Sequence, residues 1–201
     1  YSSGSDYEID QSLRFNDADS PYLSKTFASA GNQRTFTWSA WWKHGDMNNS
    51  IFFLSAADDN FHWQYSNDGA GEARGLRYEH AADGAISSKH YLRDPSGWYH
   101  IMWVVDTTDT SPASNKKKMY VNGVRVDDTD NGSYGDNNRQ QSINSNTIQY
   151  IGANTTPSSN TDGYLAEVQF IDGQALTPSS FGETGDYGEW KPIEYEGTYG
   201  T

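Results

Sequence analysis

Residues 98–126, WYHIMWVVDTTDTSPASNKKKMYVNGVRV, leave this chain little choice of architecture. In the first nine residues Trp98, Met102 and Val104 alternate with Tyr99, Ile101, Trp103 and Val105, so both faces are apolar. A strand of that kind lies inside a sheet that is covered on both sides. A polar loop follows, and then two β-type runs flank Asn122-Gly123. That dipeptide supplies the two positive-φ positions of a tight hairpin. The stretch predicts an all-β scaffold centred on residues 98–106.

The remaining runs agree. In residues 34–44, RTFTWSAWWKH, one face carries Phe36, Trp38, Ala40 and Trp42 and reads as core. The other carries Thr35, Thr37, Ser39, Trp41 and Lys43, which leaves Trp41 alone among polar neighbours. Further strands are expected at 12–15, 22–27, 50–55, 61–66, 75–80, 86–92, 147–152 and 163–172. Thr177-Pro178-Ser179-Ser180 signals about one helical turn. Residues 1–11 read as an edge strand or linker. Residues 183–201 lose periodicity but keep Trp190, Tyr195 and Tyr199, too apolar a set for a free linker. They are expected to dock on their own domain or a neighbouring subunit, or to lead into a further domain. A start at Tyr1 rather than Met suggests a piece of a longer protein. About a dozen short strands between turns predict a two-sheet antiparallel sandwich or jelly roll over residues 12–182.

Charge narrows the partners. With 27 acidic and 14 basic residues the formal net charge is −13, which disfavours nucleic acid and anionic membranes. The chain has no cysteine, so disulfides and thiolate metal sites are excluded. No apolar run approaches the roughly 18 residues of a membrane-spanning helix, so membrane insertion is not expected.

In order along the chain, FTWSAW (36–41), WYHIMWVVD (98–106), KMYVNGV (118–124), IQYIG (148–152) and GYLAEV (163–168) resemble the strands of laminin-G-like, concanavalin A-like jelly rolls. The resemblance covers residues 12–182 and implies that fold. One departure is Ala166, where relatives often carry an Asp before the Glu. A narrower resemblance is that of GYLAEVQFIDGQALTPSSFGE (163–183), with the stretch 190–201, to jelly-roll domains of structural proteins from marine tailed bacteriophages.

Glucanases of this fold carry a Glu-x-Asp-x-Glu run, which is missing here, as are other hydrolase and P-loop motifs. A non-catalytic module is expected. Relatives bind Ca²⁺ at carboxylates on one rim. Asp58, Asp59, Asp106 and Asp109, and the run 127–130, are the oxygen-rich candidates here; acidic loops that merely solubilise the protein are the alternative. Sugar sites pair an aromatic platform with amide or carboxylate hydrogen-bonders, because a pyranose has an apolar face and a polar rim. Trp41 is one candidate, unless, as the resemblance implies, it packs against a neighbouring strand or loop. Tyr134 with Asp136, Asn137 and Asn138 is the other, unless that loop closes on itself. Lys116, Lys117 and Lys118 read as a solvated edge, or as a contact with an acidic neighbour copy. The resemblance to phage jelly-roll domains implies a virion structural or fibre module on the virion surface or outside the cell. It would contact glycans on a cell surface, other copies or other virion proteins. A purely structural assembly module and the carbohydrate-binding module of a secreted bacterial protein are the alternatives.

Overall fold

The computed structural model describes residues 7–46, 50–57, 59–64, 75–88, 92–127, 132–157 and 159–200, main chain only at 63 and 64. Two six-stranded antiparallel sheets face each other. One runs in the order β1 (Leu13–Phe15), β12 (Gly163–Asp172), β3 (Thr35–His44), β8 (Tyr99–Asp106), β9 (Lys117–Val121), β10 (Val124–Arg125). The other runs β2 (Leu23–Thr26), β11 (Ile148–Ile151), β4 (Ile51–Ala56), β5 (Asp59–Gln64), β6 (Gly75–His80), β7 (Gly84–Ser87). The crossovers between sheets are those of a jelly roll, and the expected all-β sandwich is what forms. Among the described residues there is no α-helix, and hence none long and apolar enough to cross a membrane.

β8 behaves as its two apolar faces require. Ile101, Trp103 and Val105 enter the core between the sheets with Trp38, Phe61 and Tyr78. Met102 and Val104 point out the other side, where Ile171 and Phe181 cover them in a second, smaller core. Burial of that kind stabilises by roughly 1.5–3 kcal/mol per large aliphatic side chain. The hairpin after β9 turns at Asn122 (φ 47°) and Gly123 (φ 78°). The Asn122 side-chain oxygen accepts the His100 N–H at 2.8 Å and ties the turn to β8.

The outer face of the first sheet corrects one expectation. Thr37, Ser39 and Trp41 are not a solvated polar face: Thr37 and Ser39 are buried, and Trp41 is only 8% exposed. Their cover is the chain's own C-terminal stretch, where β13 (Gly182–Thr184) and β14 (Trp190–Pro192) form a hairpin that loss of periodicity had concealed. The Thr37 hydroxyl donates to the Gln174 carbonyl at 2.8 Å and accepts the Leu176 N–H at 2.9 Å. The Trp190 indole lies so close to Gly123 that a Cβ there would meet it at 2.6 Å. Two glycines of the central hairpin and of β13, Gly123 and Gly182, thus make room for one indole.

The lysine triplet is the other correction. Lys117 is completely buried, with Nζ 2.9 Å from Asp83 Oδ2 and 4.2 Å above the Tyr78 ring. Lys116 is buried too, and its ammonium donates to the Gly135 carbonyl and to Asn137 Oδ1. Alternation along β9 sends Lys117, Met119 and Val121 inward together. The expected strand over 86–92 instead spans Gly84–Ser87, because the His80 ring accepts the N–H groups of Ala82 and Asp83 and closes a tight turn after β6. Residues 65, 66 and 89–91 of two expected strands lie outside the described residues.

Candidate functional site

Trp41 and Trp98 lie on neighbouring strands of the first sheet, at β3 and at the entry to β8, and line a common cleft of about 290 Å³ on the outer face. Ala166 of β12 and Pro192 of β14 complete its walls, and the N-terminal segment 9–12 runs along one side. Trp41 forms the covered part of the aromatic wall, while Trp98 is 38% exposed and meets Tyr164 edge-on, ring centres 6.4 Å apart. Asp10, Gln11 and Ser12 are exposed along the polar side. The cleft therefore joins indole surface to a carboxylate, an amide and a hydroxyl, the donor and acceptor types that a polyol reads. Of these residues only Trp41 was singled out as a candidate. Trp98 was hidden as one more strand aromatic, and Asp10 and Gln11 carried no signal because their value comes from where the N-terminal segment crosses the sheet.

Beneath the cleft, the Trp41 ring lies 5.3 Å from that of His100, which also stacks on Trp190 at 5.9 Å. His100 Nε2 is 2.8 Å from Ser39 Oγ. Desolvation under the tail pushes the His100 pKa down to about 4, so the ring is neutral at physiological pH. Ser39 and His100 are closed off from solvent, and this pair serves packing rather than nucleophilic chemistry.

The loop 132–146 does something other than display an aromatic platform. Tyr134 is partly buried against the main core, and its hydroxyl donates to the Asp127 carbonyl at 3.3 Å. Asp136 pairs with Arg139, and Asn137 receives Lys116. Asn138 takes the left-handed region (φ 59°), gives its N–H to Thr107 O and accepts Arg34 Nε at its carbonyl. Further on, the Asn144 amide donates to Asp172 Oδ1 at 2.6 Å. The loop thus laces one rim of the sandwich shut. Tyr134 and Asp136 line a shallow polar hollow there with Lys116 and Asp83, and Trp41 stands apart from them on the sheet's outer face.

The carboxylates proposed for a metal have other employment. Asp58 lies outside the described residues. Asp59 is fully buried; it accepts the Tyr78 hydroxyl at 2.7 Å and the N–H groups of Ser142 and Ile143. Burial is the largest influence on Asp59 and raises its pKa. Asp106 accepts the Thr108 N–H at 3.1 Å and its hydroxyl at 2.6 Å, and Asp109 accepts the Asn115 amide at 3.3 Å. Among the described residues no three His, Asp or Glu side chains are grouped as a metal would require.

Two facing antiparallel sheets with jelly-roll crossovers, and an aromatic cleft on the outside of one of them, define a lectin-like sandwich. Residues 16–180 match the Laminin_G_3 model, described as the concanavalin A-like lectin/glucanases superfamily, and the chain belongs to that superfamily. Among solved structures it is similar to a putative carbohydrate binding protein from Bacteroides ovatus, with TM-score 0.60 and 16% identity over 86% of this chain and 46% of that one. It is similar to the heptameric SAP-like pentraxin of Limulus polyphemus, with TM-score 0.54 and 19% identity over 78% and 71% of the two chains. A third likeness is to domain 4 of AbnA, a GH43 extracellular arabinanase from Geobacillus stearothermophilus, in complex with arabinotriose. There the TM-score is 0.50 and the identity 19%, over 76% and 66% of the chains. The chain spans less than half of the Bacteroides protein's length. At these identities the likeness is one of fold. No curated protein matches the sequence.

Proposed function

We propose that this chain is a non-catalytic glycan-recognition module that holds its ligand in the cleft between Trp41 and Trp98. The observation that carries the reading is the cleft itself: two indoles from adjacent strands face a strip of exposed Asp10, Gln11 and Ser12. An aromatic face takes the apolar side of a sugar ring, and the polar strip takes its hydroxyls. Membership of a lectin-bearing superfamily supports this, as does the fold likeness to a putative carbohydrate binding protein and to an arabinanase domain in complex with arabinotriose. The module acts on the surface of a bacteriophage virion, among other copies or other virion proteins, and contacts glycans of the host cell. That placement is supported by the resemblance of residues 163–201 to phage jelly-roll domains.

The test is a glycan array of algal and bacterial polysaccharides, followed by calorimetric titration of any hit. Trp98→Ala removes an exposed ring and should leave folding intact while weakening binding about tenfold, the worth of roughly 1.4 kcal/mol of aromatic contact. Silence of the folded protein on the array, or affinity untouched by both Trp98→Ala and Asp10→Ala, would sink the proposal. Release of reducing sugar from a bound glycan would overturn its non-catalytic part.

A further inference from the structure

A second hollow lies between the sheets, on the opposite side of the first sheet from the Trp41 cleft. β1 pairs with β12 only at residues 163–165, so beyond that point β12 is itself the edge of its sheet. Facing it, β2 is the edge strand of the other sheet. A bulge between Ala166 and Gln169, with Glu167 at φ 48°, interrupts β12 at this place. The two edges leave a cavity of about 220 Å³ whose apolar walls are Leu23, Phe27, Trp38, Leu54, Val168 and Phe170. Leu23 is 50% exposed and Val168 38%, so the cavity communicates with solvent.

Its polar neighbours decide what fits. The Gln149 amide donates to Thr147 O at 3.0 Å, and its oxygen accepts the Asn144 N–H. Asn144 in turn gives its amide to Asn32 O and to Asp172 Oδ1. Both amides are spent on the protein, and Ser24 is the other uncharged polar residue of the lining, so the cavity presents mostly carbon to an occupant and would leave most sugar hydroxyls unmatched. Lys25 also lines it, with Nζ 5.5 Å from the centre of the Phe27 ring. Among the described residues no carboxylate pairs with this ammonium, although the chain carries a formal net charge of −13. The Trp38 indole N–H is buried without an acceptor. An apolar cavity of about 150 Å³ is enough to bind benzene, so this one admits a somewhat larger apolar body.

We propose that the hollow is a binding site for a small amphiphilic anion, an aliphatic or aromatic carboxylate whose apolar body enters between the sheets and whose head group meets Lys25. The site is separate from the glycan cleft, and either can fail without the other.

Fluorescence titration of the full chain with 8-anilinonaphthalene-1-sulfonate, and its displacement by octanoate or octanol, tests this. Saturable one-to-one binding is expected, with both competitors effective. Octanoate should be the tighter by about two- to fivefold at low salt, the worth of one exposed charge pair, and the difference should shrink as salt is added. Lys25→Gln should remove that preference and keep the binding. Val168→Trp should fill the hollow and abolish binding; Leu23→Trp, on the exposed edge strand, is a second blocking variant in case the first does not fold. Non-saturable binding, binding indifferent to both tryptophan variants, or equal affinity of the two competitors for the unaltered protein would overturn the assignment. So would a dimer in sedimentation velocity that Leu23→Glu dissolves, because the face would then belong to a second copy.

Discussion

Lys117 and Asp83 offer the sharpest test of how this sandwich is held together at its polar end. The Lys117 side chain has no solvent exposure and that of Asp83 only 1%, and the two are joined at 2.9 Å. Arg139, with 29% of its side chain exposed, lies against the other Asp83 oxygen. Burial pulls the Lys117 pKa down, opposed by the hydrogen bond and charge of Asp83. Removing one member of such a pair costs roughly 3–5 kcal/mol, because the survivor's charge stays buried. The two members are not equivalent here. Lys117→Met leaves Asp83 still paired with Arg139, which places the cost near the lower bound, about 3 kcal/mol. Asp83→Asn leaves two cations facing each other without their shared carboxylate. Lys117 then escapes by losing its proton, which at pH 7 costs at most about 5 kcal/mol for a lysine of ordinary pKa. That figure is the ceiling, and about 4 kcal/mol is expected. The double variant should cost less than the sum of the singles by about 2–3 kcal/mol, since each single strands what the other removes. Urea unfolding at pH 7, followed by tryptophan fluorescence, measures all three. In Asp83→Asn stability should also rise with pH, because the unfolded chain then binds the proton that the folded lysine has lost. An Asp83→Asn cost below about 1 kcal/mol, or strictly additive costs, would refute the account.

Acid should act chiefly through three buried histidines. Burial lowers His44 and His100 to about 4 and His62 to about 3 from an ordinary 6.5. Each folded pKa lies below its unfolded value, so the stability is complete above pH 6.5 and is lost as pH falls from there toward 4, and toward 3 for His62. The slope approaches about 1.4 kcal/mol per pH unit per histidine, and a flat urea midpoint from pH 6.5 to 4.5 would contradict it. Trp190→Ala should uncover the outer face at a cost of about 3 kcal/mol and bring the His100 pKa back up toward 6.5, read by NMR titration; an unmoved pKa would mean that the tail is not what desolvates it. Millimolar Ca²⁺ against chelator should shift the melting temperature by less than about 1 °C, since Asp59, Asp106 and Asp109 are already taken by internal donors. A native-state ligand would raise it by mass action.

The scaffold was legible because it rests on short-range physics. Period-two alternation identified Phe36, Trp38 and Trp42 as core, two-sided apolarity marked β8 as interior, and Asn122-Gly123 marked the hairpin; all hold in the structure. The site was legible only in part. Alternation placed Trp41 on the outer face, yet could not say that Pro192 of the tail and the N-terminal segment would turn that face into a cleft. Tyr134 and the rim aspartates looked available because loop composition records polarity and not partners. Lys117 looked solvated because a lysine beside two lysines ordinarily is.

By itself, then, the sequence determined which residues alternate inward, where the chain turns, and hence a two-sheet sandwich. Those signals operate within a few residues of one another. Only the tertiary structure decided that the tail roofs the outer face, that Asp83 in the turn between β6 and β7 meets buried Lys117 of the other sheet, and that Asp10 and Gln11 stand beside Trp98. Each of these joins segments tens of residues apart, so no local pattern encodes it: exclusion of water drives the tail onto the sheet, while the buried pair needs both charges brought together.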